Sequence, residues 1–78
     1  MTPDQLRDAR ATLGAMWGLG RPLQMSEMGR ALRIPGRDPG AAIAGYESGT
    51  RISGPMSVAV DMMLAGALPP DGLSSLKP

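Results

Sequence analysis

The chain has 78 residues, a net charge of +1, 42% hydrophobic residues, and neither Cys nor His. One domain fits in that length, and the missing side chains exclude disulfides, thiolate zinc sites and the commonest general base. Eleven Gly and eight Pro against few β-branched aliphatics (Ile34, Ile43, Ile52, Val58, Val60) predict short, sharply punctuated helices and no sheet.

The first helix opens at Thr2, a good N-cap, with Pro3 in the first helical position and Gln5 completing a capping box. Leu6, Ala9, Leu13, Met16 and Trp17 follow on one face at helical spacing, with Arg7, Asp8 and Arg10 mostly off it. Residues 18–22 (Gly-Leu-Gly-Arg-Pro) break the pattern. A second helix is predicted from about Gln24 to Arg33, with Leu23, Met28 and Leu32 apolar and Glu27 in its first turn. Gly29 costs a helix roughly 1 kcal/mol against Ala, so close approach of another backbone is expected there.

Ile34-Pro35-Gly36-Arg37 stops that helix, and Asp38 caps a third one with Pro39 at its start. Ala41, Ala42, Ile43, Ala44 and Tyr46 continue it, and Gly49 ends it in a left-handed conformation. Ser53 or Gly54 caps a fourth helix, opened by Pro55, with Met56, Ala59, Val60, Met63 and Leu64 inward. Val58, Met62 and Ala65 lie off that face and suggest a self-association surface. Residues 1–68 form the expected domain. Residues 69–78 lack any period and read as a flexible tail, with Leu68, Leu73 and Leu76 able to dock. No apolar run reaches membrane-spanning length and Met1 is followed by no signal core, so a cytoplasmic protein is expected.

Phosphate-loop and dinucleotide fingerprints fail, since Gly18 and Gly20 lack a third glycine and follow a helix. Neither an enzyme nor a cofactor is expected. The arginines are more informative. Five of them (Arg21, Arg30, Arg33, Arg37, Arg51) stand against three acids (Glu27, Asp38, Glu47) in the middle of the chain. A planar guanidinium is the better phosphate ligand because it donates paired hydrogen bonds.

Residues 23–34, with Leu23, Glu27, Gly29, Arg30, Leu32 and Ile34 in place, resemble the second helix of the Cro/CI-type (XRE-family) helix-turn-helix proteins. Ile43, Tyr46, Glu47, Ser48 and Gly49 look like the end of that family's recognition helix. Ile52-Ser53-Gly54-Pro55 before an apolar helix is similar to the segment after it. The resemblance implies an all-α, compact four- to five-helix helix-turn-helix domain of lambda repressor type. It implies core roles for Met28, Leu32, Ile34, Ile43 and Tyr46, and a structural role for Glu47. Gln24 and Met25 would face a DNA phosphate, and Pro39, Gly40, Ala41, Ala44 and Gly45 would point into the major groove.

The chain departs from that pattern in three ways. Pro35 to Asp38 lengthen the turn, Trp17 to Pro22 lengthen the first joint, and the family's usual Arg is Gly45 here. Ala41 and Ala44 can touch thymine methyls but make no hydrogen bond to a base. Phosphate and base contacts then fall to Arg30, Arg33, Arg37, Thr50 and Arg51, with Gln24 at the helix end. The expected function is a small transcriptional regulator that binds double-stranded DNA. It would be a homodimeric repressor acting by promoter occlusion, with no membrane and no small-molecule effector. The compact size suits an autorepressor of a phage or mobile element. The alternative is a protein-binding adaptor or inhibitor on a scaffold that has lost DNA readout, with its Met residues as contact surface.

Overall fold

A computed structural model describes residues 1–77. The domain is all-helical: α1 Pro3–Met16, α2 Met25–Ala31, α3 Pro39–Glu47, α4 Gly54–Leu64, and a short 3-10 turn Gly72–Leu76. Its Cα radius of gyration of 11.2 Å matches the about 11.5 Å of a compact chain this long. No helix among the described residues is long and apolar enough to cross a membrane.

Local chemistry sets the helix starts. Thr2 Oγ1 accepts from Gln5 N at 3.1 Å while Gln5 Oε1 accepts from Thr2 N at 2.9 Å, so two orphan donors are satisfied reciprocally. Asp38 caps α3 and Ser53 caps α4, each with Pro in the first turn. Gly49 follows α3 with φ +120°. α2 is shorter than its apolar spacing predicts. It stops at Ala31 because Arg33 turns left-handed at φ +58°, where glycine is favoured. Ile34 N then donates back to Gly29 O at 3.0 Å.

The core gathers Leu6, Leu13, Leu23, Met28, Ile43 and Val60, all fully buried, around Ala9, Ala31 and Met63. Leu32, Ile34 and Tyr46 pack against this cluster but are only partly covered. Met16, expected on the inner face of α1, is 45% exposed. The tail docks on the body through Leu76, which the sequence offered as one of three leucines able to do so. Gly72–Leu76 packs on α2, Leu76 is buried, and Arg30 donates to its carbonyl at 3.0 Å. Pro78 lies outside the described residues.

Candidate nucleic-acid interface

The backbones of α2 and α3 meet directly at two glycines. A Cβ on Gly29 would meet the Pro39 carbonyl carbon at 2.6 Å, and one on Gly40 would meet Ser26 N at 2.9 Å. Both glycines therefore let the two helices touch directly. This bears out the reading of Gly29 as a close-approach residue. Gly14 performs the same service for α1, whose backbone abuts Arg21 and Pro22.

The C-terminal end of α3 is fixed by a charge cluster. Glu47, with its side chain 5% exposed, accepts from Arg10 Nε at 2.7 Å and from Arg10 Nη2 at 3.0 Å. Arg7 Nε lies 3.4 Å from the same carboxylate. Arg10 Nη1 also donates to Leu23 O at 2.8 Å, so one guanidinium ties α1 to both the entry of α2 and the end of α3. The sequence reading placed Arg10 off the inner face and missed this clamp. Its signal was present only as an acid in the last turn of α3 with no basic residue on that helix to match it.

A second pair closes the start of α2. Arg21 makes two hydrogen bonds to Glu27, at 2.7 and 3.0 Å, and Glu27 Oε1 also accepts from Gln24 N at 2.8 Å. The Arg21 guanidinium, with help from the Gln24 N–H, holds the Glu27 carboxyl below the usual carboxylate range. Burial opposes this and is outweighed.

These supports frame an open hollow lined by Gln24, Met25, Ser26, Asp38, Gly40, Ala41 and Ala44. Gln24 and Ala41 are exposed and Ala44 is half-buried. Next along α3, Gly45 has the Thr50 hydroxyl as its nearest neighbour, 3.6 Å from where a Cβ would stand. Ser48 Oγ is occupied, donating to Ala44 O at 2.9 Å. The outer face of α3 therefore offers methyl groups and backbone. The one charge in the hollow is the Asp38 carboxylate, which accepts from Ala41 N at 3.2 Å.

The nine candidate residues do not form one patch. Gln24, Gly40, Ala41 and Ala44 share the hollow. Thr50 and Arg51 line a different recess, beside the starts of α1 and α4. Arg37 is exposed in the loop between α2 and α3. Arg30 and Arg33 serve the tail: Arg30 binds Leu76 O, and Arg33 pairs with Asp71 at 2.5 Å. Among the described residues, Arg37 and Arg51 make neither an ion pair nor a side-chain hydrogen bond. Comparison with family models, curated proteins and solved structures gives no match.

Proposed function

We propose that the chain is a small DNA-binding regulator of the Cro/CI-like kind, which lays α3 against a duplex and acts as a dimer by covering promoter DNA. One observation carries this reading. α2 and α3 meet at glycines, α3 keeps a bare exposed face, and the unpaired Arg37 and Arg51 stand just before and just after that helix. A helix without bulky side chains lets its backbone approach the groove floor, and two free guanidinium groups are available for phosphates. The mechanism is occlusion in the cytoplasm, on the DNA of a compact phage or mobile-element operon. It uses no catalysis, cofactor or effector.

The arginines set the strength of the electrostatic contribution. Arg7, Arg10, Arg21, Arg30 and Arg33 have partners within the domain, which leaves Arg37 and Arg51. Two phosphate contacts give a slope of log affinity against log salt of about −2 per copy. Sequence preference then rests on thymine methyl groups against Ala41 and Ala44 and on DNA shape.

The test is a fluorescence-anisotropy titration with duplex DNA from upstream of the chain's own reading frame, at two salt concentrations. The expected slope is about −2 per bound copy, and Arg37→Ala lowers its magnitude by about 1. A folded chain that binds no duplex, or binds with no salt dependence, refutes the proposal. That outcome favours an adaptor that contacts protein, a reading that the internally paired arginines support.

A further inference from the structure

The segment after α4 returns to α2 as the short turn Gly72–Leu76. Leu76 anchors it, buried among the core residues. Two guanidinium groups of the α2 end hold it there. Arg30 donates to the Leu76 carbonyl, and Arg33 pairs with the Asp71 carboxylate. We propose that this tail is a latch. Closed, it withholds Arg30 and Arg33 from a polyanion. Open, it returns both cations to the edge where Arg37 stands free. The inference rests on the DNA-binding reading for its purpose, since the latch sets how firmly the chain grips a duplex.

Apart from Leu76, the closed contact is weak. The Arg33 and Asp71 side chains are 57% and 64% exposed, and an ion pair so open to water contributes little. Leu73, the other leucine of the turn, is 40% exposed. The Ser75 hydroxyl is buried with no hydrogen-bond partner among the described residues. An unsatisfied hydroxyl disfavours the docked state and is relieved when the tail meets water.

The consequence follows from where the two arginines lie. Arg33 and Arg37 belong to the same short connection between α2 and α3. The chain between them spans at most about 14 Å, close to the about 12 Å across a major groove. A polyanion that meets Arg37 is therefore in range of Arg33, but has to displace Asp71 to bind it. Glu27, which also feels the Arg30 charge, is already matched by Arg21 and is no substitute for the tail. Of the arginines, the closed chain offers Arg37 and Arg51, and the open chain adds Arg30 and Arg33. The slope of log affinity against log salt then goes from about −2 to about −4.

Thiol labelling tests the opening without any ligand, because the chain has no Cys of its own. Ser75→Cys places a thiol under the docked tail, Ala9→Cys one in the core, and Ser74→Cys one in solvent. The expected labelling rate of Ser75→Cys is at least about tenfold above Ala9→Cys, which waits for global unfolding, and below Ser74→Cys. A rate equal to either control overturns the latch. Anisotropy titrations with duplex DNA test the withholding. Asp71→Asn, at an exposed position, steepens the salt slope by about 1, and Leu76→Ala, which removes the anchor, by about 2. Asp61→Asn removes an exposed charge from α4 instead and leaves the slope unchanged. Equal slopes for Asp71→Asn and Asp61→Asn overturn the latch, whether or not Leu76→Ala folds. A heparin column, which presents sulfates without base pairs, separates the two readings. A chain that binds no duplex, yet elutes from heparin at higher salt as Asp71→Asn than as Asp61→Asn, keeps the latch and removes the DNA reading. A duplex-binding chain in which those two variants behave alike does the reverse.

Discussion

Removing the Glu47 carboxylate is the sharpest perturbation of the frame that positions α3. In Glu47→Ala the Arg10 guanidinium, whose side chain is 15% exposed, keeps Leu23 O but loses both bonds to the acid. Hydrogen bonds to charged groups contribute about 1.5–3 kcal/mol each, and stranding one member of a buried pair costs about 3–5 kcal/mol. Arg7 adds little, being 57% exposed and already paired with Asp4. The expected loss is therefore about 3–4 kcal/mol. A domain this size has a total stability of roughly 4–12 kcal/mol. At about 4–8 °C per kcal/mol, the melting temperature falls by at least about 12 °C. Thermal and urea unfolding followed by circular dichroism measure it. The double variant Arg10→Met with Glu47→Leu recovers most of the loss, because the stranded charge is gone. A loss under about 1 kcal/mol in Glu47→Ala, or strictly additive single and double variants, refutes the clamp.

Three further outcomes follow from the same geometry. Gly29→Ala forces a methyl group into the Pro39 backbone, and the separation of α2 from α3 costs about 1–3 kcal/mol in urea unfolding despite the better helix propensity of Ala. Glu27 has a folded pKa below its unfolded value of 4.5. Its contribution to stability is complete above that value and is lost as pH falls through the lower folded one. Glu27→Gln accordingly flattens the acid side of the stability–pH curve and leaves its neutral side level. Asp38→Asn keeps an Ncap oxygen for Ala41 and removes the only charge in the hollow, so duplex binding tightens by about three- to tenfold at low salt with unchanged melting temperature.

The helix starts were legible because each rests on a few adjacent residues. Thr2 with Gln5, Asp38 with Pro39, and Ser53 with Pro55 state their caps locally. Gly29 was legible for a related reason, since a glycine inside a helix is a cost that only close packing offsets. The end of α2 was not legible. Nothing in the periodicity of Leu23, Met28 and Leu32 says that Arg33 adopts a left-handed backbone normally reserved for glycine. Arg10 was misread because its partner lies 37 residues away on another helix, at a distance that no periodic pattern reports. The same holds for Arg30 and Arg33. Both read as phosphate or base contacts, and their tail partners Leu76 and Asp71 depend on how a segment without periodicity returns to α2. Charge counted along a chain therefore overstates charge available to a ligand.

The most direct measurement is a map of backbone amide shifts in a uniformly 15N-labelled chain as duplex DNA is added. The account predicts shifts concentrated at Gln24 to Ser26, at Arg37 to Ala44 and at Thr50 and Arg51, with little change along the outer face of α1. Shifts that leave Arg37 to Ala44 silent, or that centre on Met62 and Leu68 instead, contradict it.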